Sequence, residues 1–286
     1  MPLSSSTSSL FTARQALRRH SGFIVCLCAA AIAFTLVALI TRHLHATLGQ
    51  PELASGWSLF GVCCLLAALN ARKKLAMLPV GRASVWKMVH VCGGFLVIAL
   101  FWLHAGSPWP TGTYEQAMAV IFYAVCITGL LGLFYQSAYP RRLTQTGIEV
   151  IYERIPDEIV ALREQAEEAV LSCTRESGTD TLAQFYVETF QWFFRRPRFL
   201  ISHLLGGQRA AFWVSQQLST ARRYLGEHEL EYLDQLSNLA HAKARLDLHY
   251  ASQGILKLWL LVHVPTAFAL GALVLWHILV VNIYAL

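Results

Sequence analysis

Long apolar runs constrain this chain more than any other feature, because a helix of about 20 apolar residues matches the thickness of the hydrocarbon layer of a membrane. Hydrophobic residues make up 55% of the sequence and charged residues only 14%. Backbone polar groups inside lipid must be hydrogen-bonded within their own segment, so each run predicts a helix. The predicted spans are residues 22–41, 55–70, 85–105, 116–137 and 255–284.

The predicted fold class is therefore all-α: a multi-pass transmembrane helical bundle of about five spans, with a helical cytoplasmic insertion between spans 4 and 5. Pro156 should open the first helix of the insertion and Gly178 should close it. The insertion has no P-loop and no G-x-G-x-x-G motif, which argues against a flavin or nucleotide site of the usual kind. The predicted parts are an N-terminal tail (1–21), spans 1–4 (22–137), the insertion (138–253) and span 5 (254–286).

The placement of charge predicts the topology. Net charge is +6, but 15 of the 17 acidic residues lie between Glu149 and Asp247, and basic residues outside this segment flank the spans. This pattern does not indicate a nucleic-acid partner. Lys and Arg in short loops favour the cytoplasmic side, so we expect a cytoplasmic N-terminus and an outside C-terminus in the inner (cytoplasmic) membrane of the cell. Only Arg42 departs from this rule.

The cysteines exclude one class of cofactor. Six of the seven lie in the apolar spans, and Cys173 is alone in the insertion. There is no C-x-x-C-H sequence for covalent haem attachment, and no pair of C-x-x-C motifs that would indicate zinc or an iron–sulfur cluster.

Four intramembrane histidines form the predicted site. Span 3 carries His90 and His104, and span 5 carries His263 and His277, each pair 14 positions apart. Fourteen residues advance a helix by about 21 Å and return to within about 40° of the starting direction. Because both spans run the same way, His90 should meet His263 and His104 should meet His277. Zinc ligands would converge on one point, whereas two pairs at two depths predict two non-covalent b-type haems, each with bis-histidine ligation.

Other residues are predicted to assist these ligands. Lys87 and Lys257 lie at the cytoplasmic edge of spans 3 and 5, where they could neutralise haem propionates. Gly93, Gly94 and Gly271 would leave room for a flat macrocycle. His249 lies 14 positions before His263, but position 76 is an alanine, so no histidine there would partner it and a third haem is not expected.

The paired His-x13-His helices resemble the di-haem core of the cytochrome b and ferric reductase-like transmembrane families. The resemblance covers spans 3 to 5, and the ferric reductase-like layout fits best by position. It implies that electrons pass between two bis-histidine haems across the membrane. No sixth span and no flavin- or nucleotide-binding region follows Leu286, so a self-contained NAD(P)H-driven reductase is not expected. Recognisable quinol-site motifs are also absent.

The expected function is an electron-transfer subunit of a respiratory-type oxidoreductase complex, rather than a complete enzyme. It would relay electrons between a cytoplasmic or quinone-pool donor and an outside acceptor. The expected partners are membrane lipid, quinone, and a flavoprotein, an iron–sulfur protein or a multihaem cytochrome. Two haem-free alternatives stay open: a transporter or sensor whose histidines carry protons, and a scaffold that anchors a soluble complex.

Overall fold

The computed structural model describes residues 5–74, 81–144, 147 and 149–284. Predicted tail residues 1–4, part of the connection between spans 2 and 3, and the last two residues of predicted span 5 lie outside this part of the chain. The described backbone forms helices, turns and connecting segments, without a strand among them. The all-α prediction is therefore confirmed.

Ten α-helices follow one another in the described residues. They are α1 (Ser5–Ala46), α2 (Pro51–Lys74), α3 (Ala83–Ala105), α4 (Thr113–Thr144), α5 (Ile155–Ser177), α6 (Thr181–Phe185), α7 (Gln191–Arg195), α8 (Leu200–Leu204), α9 (Arg209–Ala221) and α10 (Glu227–Tyr284). A 3₁₀ turn (Tyr152–Arg154) precedes α5, and a π-helical turn (Tyr186–Phe190) joins α6 to α7.

Five of these helices, α1 to α4 and α10, are long and apolar enough to cross a membrane. The apolar part of α1 runs from Ser21 to Ala46, and the helix itself already begins at Ser5, within the predicted tail. The apolar part of α2 covers Pro51–Leu69, so the short second run is also long enough to span.

The chain forms two compact units, which we call the membrane unit (residues 1–130 and 263–286) and the insertion unit (131–262). The insertion unit is wider at both ends than the predicted insertion, 138–253. It takes in the last turns of α4 and the part of α10 before His263.

In the membrane unit, α1, α2 and α3 pack closely against one another. Its core is built around Val97, Phe101, Ala119 and Phe122, with Leu270 of α10 packed against it. The rings of Phe101 and Phe122 stack with their centroids 4.3 Å apart. Along α3, this core lies between His90 and His104.

In the insertion unit, an aromatic core holds the short helices on α10. Phe190, Phe193 and Phe194 are fully buried, and Trp213 packs against Phe190 and Phe193, with ring centroids 5.4 Å and 5.3 Å apart. Helices as short as α6, α7 and α8 are not stable alone, so this burial is what keeps them folded.

Helices in the insertion begin and end at the residues that favour helix starts and stops. Pro156 lies in the first turn of α5, and the helix ends at Ser177 before Gly178, whose φ of 68° is the left-handed conformation that glycine adopts readily. The aromatic segment ends at Arg195, before Pro197, as expected from the restriction that proline places on the preceding residue.

Candidate functional site

His104 and His277 face each other in the membrane unit; we call them the 104/277 pair. Their ring centroids lie 6.4 Å apart and the ring planes are nearly perpendicular, at 86°. His104 is in the last turn of α3, which ends at Gly106 with a φ of 68°. The 14-residue spacing thus brings together the two histidines that it predicted would meet.

Tyr114 positions the His277 side of this pair. Its ring stacks on that of His277, with centroids 6.2 Å apart and 18° between the planes. The Tyr114 hydroxyl donates a hydrogen bond to the carbonyl of Leu273, one turn before His277, at 3.2 Å. Tyr114 therefore fixes both the ring and the helix that carries it.

Ser55 of α2 positions the other ring of the pair. Its hydroxyl lies 3.1 Å from Nδ1 of His104, and it also donates to the carbonyls of Pro51 and Glu52 in its own helix. A Cβ on neighbouring Gly56 would come within 3.0 Å of the His104 ring, so glycine permits this close approach.

The other two histidines are the predicted 90/263 pair, and His90 exerts an electrostatic effect on His263. Nδ1 of His90 lies 3.2 Å from the carbonyl oxygen of Leu66 on α2. Nδ1 of His263 lies 2.9 Å from the hydroxyl of Thr128 on α4. Along α3 and along α10, the 14 positions between the 90/263 pair and the 104/277 pair correspond to about 21 Å.

The Nδ1 partner of His90 assigns the tautomer of that ring. The Leu66 carbonyl can only accept a hydrogen bond, so Nδ1 of His90 is the donor. The Ser55 and Thr128 hydroxyls lie within hydrogen-bond distance of carbonyls of their own helix, and a hydroxyl that donates its hydrogen there accepts from the Nδ1–H of the histidine. A neutral imidazole that donates through Nδ1 carries on Nε2 the lone pair that a metal needs.

This pattern is typical of metal-ligating histidines, which almost always donate the other ring N–H to an oxygen. Two nitrogens on opposite sides of one metal ion, each at about 2.0 Å, put their ring centroids about 6.3 Å apart. The 6.4 Å separation of the 104/277 pair fits that arrangement. Nowhere among the described residues do three or more His, Cys, Asp or Glu side chains come together in a way that could hold one metal ion. A haem iron differs because it takes only two protein ligands.

The three predicted glycines have different surroundings. A Cβ on Gly93 would come within 2.8 Å of the Leu66 side chain, so Gly93 serves the packing of α3 on α2. A Cβ on Gly94 or Gly271 would meet no atom of the described residues within 4 Å. Open backbone of this kind suits the face of a macrocycle, and that role stays a prediction for these two positions.

The two predicted lysines are in different units. Lys257 forms an ion pair with Glu153 and lies over the ring of Tyr152, 4.3 Å from its centroid. The hydrogen bond from Lys257 holds the pKa of the Glu153 carboxyl below its usual value. Lys87 is half-buried on α3 in the membrane unit. A propionate role for Lys257 would have to compete with its Glu153 partner.

His249 is buried within the insertion unit, where its Nδ1 lies 3.4 Å from Nε2 of Gln253. Gln253 in turn donates to the carbonyl of Val150 at 2.8 Å. The structure thus gives His249 a packing position in that unit.

The sequence did not indicate the residues that orient the rings: Ser55, Gly56, Leu66 through its carbonyl, Tyr114 and Thr128. For Ser55 and Thr128, the sequence feature that could have pointed to this role is a single hydroxyl within an apolar span. Nothing local to the sequence indicates which backbone carbonyl an imidazole will reach.

No protein-family model, no curated protein and no solved structure matches this chain.

Proposed function

We propose that this chain is a membrane cytochrome that binds two non-covalent b-type haems and relays electrons across the bilayer. The observation that carries the proposal is the 104/277 pair, two imidazoles from different spans whose centroids are 6.4 Å apart. That separation matches two ligands on one iron. Neither histidine is near the other in sequence, so ordinary helix periodicity does not produce the pairing.

The Nδ1 hydrogen bonds give independent support. Histidines that only pack helices together have no reason to share one bonding pattern. Here Nδ1 of His90, His104 and His263 each has an oxygen partner, which leaves Nε2 as the ligating atom. Such oxygen partners also raise the basicity of the ligand and fix its orientation.

Two imidazoles on one iron leave no open coordination position, which favours electron relay over bond-making chemistry. When bound, each haem would supply a one-electron carrier. The histidines hold and orient it, and Ser55, Thr128 and the Leu66 carbonyl hold the histidines. The apolar core around Phe101 and Phe122 keeps water from the region between the two pairs.

The proposed topology follows from the basic residues that flank the spans. With the N-terminus in the cytoplasm of the cell, the 90/263 pair belongs to the cytoplasmic half of the inner membrane and the 104/277 pair to the outer half. A flavoprotein, an iron–sulfur protein or the quinone pool would be the donor on the inside, and a multihaem cytochrome a suitable acceptor outside. The chain would then be a subunit of a larger oxidoreductase.

The test is the haem content of the full chain purified in detergent. We expect two b-type haems per chain by pyridine haemochrome, and a b-type spectrum after reduction by dithionite. His104→Ala and His277→Ala should each lose the same haem, and His90→Ala and His263→Ala the other. The matched control is His45→Ala, because His45 is exposed at the end of α1.

Colourless protein would refute the proposal and favour one of the haem-free alternatives. Retention of both haems by the His104→Ala variant would refute the pairing. Loss of both haems from every single variant would mean that the two sites do not load independently.

A further inference from the structure

One stretch of the insertion unit has a charge unlike the rest of it. Residues 189–226 contain no Asp or Glu and six arginines, whereas the segments on either side hold 15 of the 17 acidic residues of the chain. Arg195, Arg196 and Arg209 are exposed. The charge is therefore separated along the sequence, and the proposed electron relay makes no use of it.

The same stretch exposes large apolar side chains. Ile201 is 75% exposed, Leu205 80% and Phe212 70%. This exposure is not a sign of poor folding, since Ala210 and Val214 on the other face of α9 are buried in the aromatic core. Ile201 and Leu205 are four positions apart, about one helical turn, and large apolar side chains exposed on a folded surface mark a contact with a membrane or a partner.

Hydrogen bonds attach this surface to the end of a membrane-spanning helix. The carbonyl of Leu204, the last residue of α8, accepts hydrogen bonds from the Tyr139 hydroxyl and from Nη1 of Arg142, both at 3.2 Å. Tyr139 and Arg142 belong to the last turns of α4. Gly206, with a φ of 79°, lies so close to Arg142 that a Cβ would come within 2.7 Å of its guanidinium.

We propose that α8, the turn after it and the start of α9 lie in the headgroup region of the same bilayer that the spans cross. We call this surface, residues 195–212, the interfacial loop. Ile201, Leu205 and Phe212 would enter the outer part of the hydrocarbon layer, and Arg195, Arg196 and Arg209 would contact lipid phosphates. Apolar residues flanked by arginines are typical of elements that lie on a membrane, and anionic lipid adds about 1 kcal/mol per basic residue near its surface.

Two observations favour lipid over a protein partner. The interfacial loop is anchored on the last turns of α4, just after the apolar run of that helix, where the headgroups of a spanned bilayer would lie. Its charge is also of one sign throughout, which complements anionic lipid at any lateral position and needs no matching pattern of acidic side chains.

The test uses a photoreactive benzophenone amino acid in the full chain reconstituted in nanodiscs. It would replace Leu205 or Phe212, and the controls would be Leu171 and Val187, which are 50% and 57% exposed but lie among acidic residues. All four side chains are exposed, so the replacements leave the core intact. We expect lipid adducts at Leu205 and Phe212 by intact mass, at least several times more than at the controls.

Lipid charge supplies the second arm of the test. The yield at Leu205 should be higher in nanodiscs with phosphatidylglycerol than with phosphatidylcholine alone, and Arg195→Gln with Arg209→Gln should remove the difference. Equal yields at Leu205 and the controls would overturn the proposal. Crosslinks in native membranes that join Leu205 to another protein instead of to lipid would also overturn it. The same holds if the yield of lipid adducts at Leu205 is equal with phosphatidylglycerol and with phosphatidylcholine alone.

Discussion

At the scale of single residues, three oxygens determine how the histidines are presented. They are the Ser55 hydroxyl, the Thr128 hydroxyl and the Leu66 carbonyl, and they come from α2 and α4, the helices next to those that carry the ligands. The ligand helices alone would place the rings at the right height. The neighbouring helices engage Nδ1 of each ring and leave Nε2 for a ligand.

Removing the Thr128 hydroxyl should therefore change one haem only. Thr128→Val keeps the shape of the side chain and takes away the acceptor of His263 Nδ1–H. Loss of such a partner typically costs about 10- to 100-fold in metal affinity. A less basic imidazole also stabilises ferric iron less, so the midpoint potential of that haem should rise in a redox titration while the other stays unchanged.

Two variants serve as controls for this measurement. Thr128→Ser retains the hydroxyl and should keep the original potential. Thr35→Val removes a hydroxyl that donates only to the Ala31 carbonyl of its own helix α1, at 2.9 Å. Identical redox titrations for Thr128→Val and the original chain would contradict a role for this hydrogen bond.

The histidines could be predicted from the sequence, whereas their partners could not. The interval between His90 and His104 fixes their relative direction by helix geometry alone. The contact of Thr128 with His263 depends instead on how α4 is rotated against α10. That rotation is set by packing of many apolar side chains, and a single sequence carries no local record of it.

At the scale of elements, a buried ion pair holds the interfacial loop on α10. Lys243 and Asp247 are both fully buried, with Nζ 2.6 Å from Oδ2. Lys243 also donates to the carbonyl of Arg196 and lies 4.1 Å from the centroid of the Phe193 ring, and Asp247 accepts from the backbone N–H of Arg198. The pair thus supplies hydrogen-bond partners to the irregular segment around Pro197, which has no helical bonds of its own.

Breaking this pair should strongly destabilise the insertion unit. Lys243→Met leaves the Asp247 charge buried without its counter-ion, a change that costs about 3–5 kcal/mol. The double variant Lys243→Met with Asp247→Leu should cost less, because it buries no lone charge and leaves only backbone groups of Arg196 and Arg198 without partners. Hydrogen exchange of peptides from the insertion unit, measured by mass spectrometry, would report both losses of stability.

A surface ion pair provides the control. Arg222 and Asp234 contact each other with more than half of each side chain exposed, so Arg222→Gln should cost no more than about 1 kcal/mol. Similar losses for Arg222→Gln and Lys243→Met would mean that burial does not set the importance of the Lys243–Asp247 pair.

Helix boundaries in the insertion were predictable where a residue imposes a conformation, as Gly178 and Pro197 do. The π-helical turn at Tyr186–Phe190 was not predicted. It arises within a segment whose aromatic side chains all enter one core, and the backbone follows the packing of those rings. Likewise, the sequence indicated acidic and apolar positions in the insertion, but the exposure of Phe212 beside buried Ala210 is known only from the packing of α9.

At the scale of the whole molecule, the basic residues predict which ends of the spans face the cytoplasm. Arg72, Lys73 and Lys74 follow the apolar part of α2, whereas the connection between α3 and α4 contains no Lys or Arg. Basic residues close to a span are retained on the cytoplasmic side. The connection at residues 106–112 should therefore be exported.

Reporter fusions would test this topology. A phosphatase that is active only after export should be active when fused after Trp109, and inactive when fused after Gly178 in the insertion. The orienting role of these basic residues can be tested in one variant. If Arg72, Lys73 and Lys74 determine the orientation, replacing all three by Gln should lower the activity of the Trp109 fusion, because less charge then opposes the inverted insertion of α2 and α3. Arg222 and Arg223 lie far from any span in the sequence, so replacing both by Gln should leave the activity of the Trp109 fusion unchanged.

High activity of the Gly178 fusion in the original chain would reverse the assignment of both histidine pairs to their sides of the membrane. It would not affect the pairing itself, since the geometry of the 104/277 pair does not depend on which side is the cytoplasm.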